Sequence, residues 1–194
     1  MARTQGSRAD ITGPLIRDEA LRLFARQGYA AVSMRQIAAA VGVQAGALYA
    51  YTPDKQALLL DLLESHMQDL LAAWTDIPGD PLARLERFVR FHIDTSLDHP
   101  DAVFLSYMEL RNLTPQNFAR IADLRSRYEA NLSAILRDGV AAGAMRIDDI
   151  KLTTLALIAM LTGVTNWYRE GGRLDRRRIA EIYWGLVRGA VRAL

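Results

Sequence analysis

The chain of 194 residues contains no cysteine, which excludes a disulfide framework and any metal site built on thiolates. A reducing compartment is the simplest setting for such a sequence, and a cytoplasmic location is expected. Histidine is nearly as scarce, with only His66, His92 and His99. None sits in a metal-binding or nucleophile-activating motif, and His92 and His99 are two helical turns, about 10 Å, apart, too far to share one metal directly. No glycine-rich phosphate loop follows a strand, because no segment alternates as a strand does. An enzyme, a bound metal and a cofactor are therefore not expected. The opening residues, MARTQGSRAD, carry no apolar run after their arginines, so no secretory leader is expected. The longest apolar stretch, roughly Leu152 to Tyr168, is broken by threonines, Gly163 and Asn166. It falls short of the ~20 residues of a bilayer span and reads as a buried helix. There is also no internal repeat and no low-complexity segment.

What the sequence does hold is enough apolar material for a sizeable core, 51% hydrophobic residues, with 24% charged residues to solvate it. The net charge is only +2 and is unevenly placed. Residues 1–55 carry seven Lys/Arg against four Asp/Glu, and residues 56–194 carry 17 against 18. A polyanion would dock at the front of such a chain.

Apolar residues recur at helical spacing almost throughout, which predicts an all-α fold of about nine helices. A first helix is expected from Thr12 or Gly13, with Pro14 in its opening turn and Ile16, Ala20, Leu23 and Phe24 on its inner face. Gly28 ends it. Ser33 is a good N-cap for a second helix, broken by Gly42, and a third runs from about Gln44 to Tyr51. From Lys55 the helices lengthen. They are expected from Lys55 to before Pro78, from about Leu82 to His99, from Asp101 to Leu113, from Pro115 to Ala142, from Ile150 to Arg169, and from Asp175 onward. The change in helix length and charge near residue 55 divides an N-terminal three-helix domain, 1–55, from a larger helical domain, 56–194.

Two short helices joined at Gly42-Val43 suit a helix-turn-helix, because Gly42 supplies the positive φ that a tight turn between crossed helices needs. The small face of the next helix, Ala45, Gly46 and Ala47, would let its backbone lie close to DNA in a major groove. Tyr49 and Tyr51 can offer hydroxyls to phosphates, and Lys55 adds a charge at the edge. The same spacing also fits three helices packed together without DNA, Gly46 being then a close-packing point. The segment ALRLFARQGYAAVSMRQIAAAVGVQAGALYAYTPDKQALL, residues 20–59, resembles the DNA-binding domain of the tetracycline-repressor (TetR/AcrR) family. The matching pieces are LFARQGY, the hydroxyl of Ser33, IAAAVGV, Gly46 with Leu48 and Tyr49, and Pro53 with Lys55. The resemblance implies a dimeric, ligand-released transcriptional repressor that binds a palindromic double-stranded DNA operator. In it, Ser33, Tyr49 and Lys55 would hold phosphates, and Gln44, Ala45 and Ala47 would occupy the exposed face of the reading helix. This sequence departs from the usual family pattern in placing Gln44 and Ala45 where Ser/Thr-Lys is common, Ala47 for Ser/Thr, and Thr52 for an aromatic. Gln44 is then the only side chain of that helix able to pair bidentately with adenine. The alternative is a helical adaptor or chaperone without affinity for DNA.

Gly185, Gly189 and Ala193 fall four apart on the last helix, with Ala156, Ala159 and Gly163 on the one before. Glycine inside a helix costs about 1 kcal/mol relative to alanine. Close helix crossing would compensate, either within one subunit or at a two-fold interface; the resemblance favours a homodimer through the last two helices. A small hydrophobic ligand is expected in the C-terminal domain, against large residues such as Leu63, Met67, Leu70, Phe88, Phe104, Tyr107, Met108, Leu124 and Tyr128. Trp167 and Tyr168 lie beside Arg169, Arg173 and the run Arg176-Arg177-Arg178. Three cations in a helix's first turn oppose its dipole, so either an anion or plain solvation accounts for them. The WYR-x-GG-x-L pattern also resembles family members that sense acyl-CoA, which would bring Trp167, Arg173 and Arg176 into the ligand site.

Overall fold

Prolines, glycines and short polar side chains set where the helices begin and end. The computed structural model describes residues 5–192, with side chains from residue 12; Ala193 of the small-residue stripe lies outside them. Among the described residues there are nine α-helices and no strand: α1 (Gln5–Gln27), α2 (Met34–Val41), α3 (Ala45–Leu48), α4 (Lys55–Ala73), α5 (Pro81–Asp98), α6 (Pro100–Met108), α7 (Pro115–Ala141), α8 (Ile150–Thr162) and α9 (Arg176–Ala190). Two 3-10 turns, Leu110–Asn112 and Gly163–Asn166, follow α6 and α8.

The caps explain most boundaries. Ser33 and Gln36 form a reciprocal capping box at the start of α2, which satisfies two backbone donors that have no partner within the helix. Asp54, Asp80, Asp149 and Asp175 accept the N–H groups of Ala57, Ala83, Leu152 and Arg178, opening α4, α5, α8 and α9. Gly42 ends α2 with φ at +78°, its N–H and that of Val43 turned back onto α2 carbonyls, a conformation that side chains with a Cβ resist.

Four boundaries differ from those the sequence predicts. Helix α1 begins at Gln5, so Pro14 lies inside it rather than in its opening turn. The proline removes one backbone bond, a cost of about 3 kcal/mol or more inside a helix; Pro14 itself is exposed. Helix α3 has only four residues. Beyond Leu48 the chain tightens, with Ala50 and Tyr51 donating to Ala47 and Leu48 at three-residue spacing, as it approaches Pro53, which disfavours helix at the residue before it. Helix α6 stops at Met108, where Glu109 leaves helical backbone with ψ at 1°. Helix α8 stops at Thr162, whose carbonyl accepts the Thr165 hydroxyl, a local bond that competes with helix continuation.

The chain divides into two compact units, one of residues 1–67 and 101–122, the other of 68–100 and 123–194. In the first, Ile16, Ala20 and Phe24 of α1 close with Ile37 and Ala38 of α2 and Leu48 of α3 over the first turns of α4, at Leu58 and Leu59, all buried. In the second, α5 is central, packing on α8 and α9. Its Leu85, Phe88, Val89 and Ile93 are fully buried, as are Leu132, Ile135 and Leu136 of α7 and Leu161 of α8. One face each of α8 and α9 is exposed among the described residues. Leu152 (65% exposed), Leu155, Ala156 and Ala159 line one; Ile182, Gly185, Leu186 (53% exposed) and Gly189 line the other. No helix among the described residues is long and apolar enough to cross a membrane.

A candidate nucleic-acid interface

Helix α2 and the turn at Gly42 present the segment from Gln44 to Tyr51 on the surface of the first unit. Gln44 occupies the N-cap position of α3 yet makes no capping bond with its side chain, which leaves its exposed amide free of that duty. Gly46 and Ala47 are exposed and Ala45 is half-buried. Leu48 is fully buried, and α3 packs on α2. Tyr49 and Tyr51 are 53% and 41% exposed. A Cβ built at Gly46 would meet nothing within 4 Å, so the chain's own packing does not require a glycine there.

Ser33 and Lys55 flank this segment at the starts of α2 and α4. The Ser33 hydroxyl lies 2.8 Å from Gln36 Oε1, which also accepts the Ser33 N–H at 2.8 Å. The Lys55 ammonium donates to the carbonyls of Tyr29 at 2.9 Å and Val32 at 2.8 Å, and sits 4.2 Å from the centre of the Tyr29 ring. Because Val32's carbonyl belongs to the peptide that carries Ser33's N–H, Lys55 and Ser33 meet at one peptide unit. Of the ammonium's three donors, two are already engaged there.

Tyr29 is the residue whose part in this arrangement the sequence does not announce. Its N–H donates to Glu109 Oε1 at 3.1 Å, its carbonyl accepts from Lys55, and its hydroxyl accepts from Gln56 at 2.9 Å. Burial pushes the Tyr29 phenol above its ordinary range. Glu109 was findable in principle. It falls four residues after the buried Leu105, a charge on an apolar stripe, and is itself only 4% exposed.

The residues expected to hold a ligand are distributed across both units. In the first, Leu63, Met67 and the neighbouring Leu59 are buried, whereas Phe104, Tyr107 and Met108 share one exposed face of α6. In the second, Phe88 and Tyr128 are buried around His92, whose two ring nitrogens lie 2.9 Å from the Tyr128 hydroxyl and 2.9 Å from Thr162 Oγ1. That ring also stacks on Phe88 with centroids 6.0 Å apart. Trp167 is half-exposed and stacks on Tyr183. Arg176 pairs with Asp98 and Glu170, and Arg178 with Glu181, so the arginine run has carboxylate partners within the chain; Arg173 is exposed. A cleft of about 480 Å³ in the first unit, bordered by Pro14, Arg17, Tyr51 and Asp61, includes none of these ligand candidates. No group of three or more potential metal ligands gathers among the described residues.

Comparison with known proteins places this geometry in a family. Residues 16–62 match the domain of bacterial regulatory proteins of the tetR family, and residues 78–191 match a tetracyclin repressor-like C-terminal domain. The HTH-type transcriptional repressor KstR2 of Mycobacterium tuberculosis is 26% identical over 196 residues, spanning 98% of each chain. A bacterial regulatory protein of the tetR family from Rhodococcus RHA1 superposes with a TM-score of 0.87 at 29% identity, covering 94% of this chain and 98% of the other. AibR, solved in complex with isovaleryl coenzyme A and operator DNA, shares the fold at a TM-score of 0.83 and 24% identity, covering 94% and 100%. With both halves of the chain matched, the second match alone spanning more than half its length, this protein belongs to the TetR family of DNA-binding transcriptional regulators, which are not enzymes.

Proposed function

We propose that this protein is a ligand-released repressor that binds a palindromic operator as a homodimer, with residues 1–55 as its DNA-binding domain and 56–194 as its ligand-binding and dimerisation domain. The observation that carries the DNA reading is Gly46. Glycine is a poorer helix former than alanine, by up to about 1 kcal/mol in a helix interior, and among the described residues no contact at Gly46 repays the difference. A body outside the chain, approaching closer than a methyl group permits, does. Gln44 and Ala47 then face base edges, while Tyr49, Tyr51, Ser33 and the remaining donor of Lys55 face phosphates.

The dimer reading rests on the exposed faces of α8 and α9. A Cβ at Gly185 or Gly189 also meets nothing within 4 Å, which argues against close packing inside the subunit as the reason for these glycines. A second copy crossing at the same face supplies the contact and buries Leu152, Leu155, Ile182 and Leu186. Two reading helices related by a two-fold axis read a two-fold symmetric site. The released state follows from a small hydrophobic ligand in the C-terminal domain that binds one conformation better than the other.

Selection of duplexes from a randomised library by the purified protein tests the reading. Enriched sequences should be two-fold symmetric. Tyr49→Phe should weaken binding to enriched and random duplexes alike, because a phosphate contact carries no base information. Gln44→Ala should relax preference at one adenine by ~1–3 kcal/mol. A library that emerges unenriched would leave the adaptor reading in its place.

A further inference from the structure

Glu109 is a carboxylate taken almost wholly out of water, 4% exposed, on the 3-10 turn side of α6. Burying a charge is costly unless hydrogen bonds compensate it. Its two oxygens are spent on neutral donors: Oε1 on the Tyr29 N–H at 3.1 Å, Oε2 on the Asn112 side-chain amide. No arginine, lysine or histidine forms an ion pair with it among the described residues. The carboxylate comes close enough that a Cβ on Gly28 would stand 3.7 Å from Oε1.

The place it grips is the connection between α1 and α2. Gly28, with φ at +82°, ends α1 and turns the next N–H off the helix axis, toward Glu109. Every other polar handle of Tyr29 is held too, the carbonyl by Lys55 and the hydroxyl by Gln56. Gln56 in turn donates to the carbonyl of Asn112 and accepts the N–H of Thr114. The turn following α6, the start of α4 and the connection that leads from α1 into the helix-turn-helix thus form one hydrogen-bonded cluster. Tyr29 is at its centre, and Ser33, where α2 starts, is only four residues on.

We propose that Glu109 is a positioning residue for operator recognition: from the turn after α6 its carboxylate fixes the Tyr29 backbone, and with it the direction in which α2 leaves α1. It touches no DNA. It acts through Tyr29 on the angle of the two helices that carry Gln44, and what it requires is an acceptor at that point rather than a charge. This assignment rests on the DNA-binding reading and adds to it a residue that lies about fifty positions beyond the helix-turn-helix in the chain.

The test uses the full-length protein, a duplex enriched by the wild type from a randomised library, and a random duplex of equal length. Glu109→Ala should speed hydrogen exchange at the Tyr29 amide in the protein without DNA. It should also lower the ratio of enriched-to-random affinity by about an order of magnitude, within the usual span of specificity ratios. Glu109→Gln, which keeps an acceptor for the same N–H, should restore both. A merely structural role gives a different pattern, because loss of folded protein lowers the active fraction on both duplexes equally and leaves the ratio unchanged. That pattern overturns the proposal, as does an unchanged Tyr29 exchange rate in Glu109→Ala, or a full enriched-to-random ratio despite faster exchange. Failure of the wild type to enrich any duplex sinks the underlying DNA reading instead, and is told apart by occurring before any variant is compared.

Discussion

Gly46 separates the demands of folding from those of binding more cleanly than any other residue here. Nothing lies within 4 Å of where its Cβ would be, so Gly46→Ala should fold as well as the wild type or gain up to about 1 kcal/mol. On operator DNA the same methyl group should cost about 1–3 kcal/mol, the usual penalty for overfilling a close contact. Thermal unfolding and fluorescence anisotropy on one preparation check both halves; a variant that binds undiminished contradicts the close approach. Lys55 is a contrasting case. Its cation reads from the sequence as a surface charge, yet its head is engaged by carbonyls 26 and 23 residues earlier in the chain. No local pattern signals such partners. His92 is similar: a lone histidine in an apolar stripe is visible, but the hydroxyls at 36 and 70 residues' distance that receive its ring nitrogens are not. Removing that ring would take away both of these bonds, each worth roughly 0.5–1.5 kcal/mol net.

At the scale of elements, local chemistry made most helix starts legible, that of α1 excepted, where Pro14 marks the interior and not the opening turn. Ser33, Asp149 and Asp175 cap helices where side-chain type and position foretell it, and Pro115 opens α7. The ends of helices were less so, because they depend on competition. Thr165 closing on Thr162 competes with continuation of α8 toward Arg169, and α6 ends at Met108 where the backbone passes through Glu109 into a 3-10 turn. The three arginines in the first turn of α9 are compensated by carboxylates from near and far in the chain. Asp175 caps it, and Asp98, Glu170 and Glu181 pair with Arg176 and Arg178. Exposed pairs of this sort are worth about 0–1 kcal/mol apiece, enough to offset an unfavourable helix-dipole term of similar size. The far end of α9 supports a sharper prediction. Since Gly185 and Gly189 face open space within the chain, Gly185→Leu with Gly189→Leu should leave the helical content of each subunit intact while blocking a close crossing by a second copy. Sedimentation should then report a monomer with an unaltered circular dichroism spectrum. A double variant that remains dimeric would place the interface elsewhere.

For the whole molecule, the excess of positive charge in residues 1–55 suits a polyanion as their partner. Inducer identity is the least legible property, since a large apolar residue that fills a core and one that lines a cavity have the same spacing. The acyl-CoA version of the ligand reading now depends on Trp167 and Arg173 more than on the arginine run, whose charges are largely spoken for by carboxylates. Calorimetry with acyl-CoA thioesters of increasing chain length should show binding at about micromolar Kd or tighter, weakened by Arg173→Ala and by Trp167→Ala. Absence of binding by the wild type at every chain length would leave a neutral or cationic hydrophobic inducer.

The three tryptophans occupy unlike surroundings, and that gives the molecule optical properties of its own. Trp74 is buried against Phe88 and Phe91, and its indole N–H meets no acceptor among the described residues. Trp167 stands half in water, and Trp184 lies under the Arg188 guanidinium. An indole shielded from water, as Trp74 is beneath Arg87 and beside two phenylalanines, emits toward the blue, and one in water toward the red. With Trp184 replaced by phenylalanine, intrinsic emission would therefore split into a blue component from the interior of the second unit and a red one from its surface. An event confined to the outer face would shift the red component alone, and loosening of the interior would draw the blue one after it, all without a dye attached.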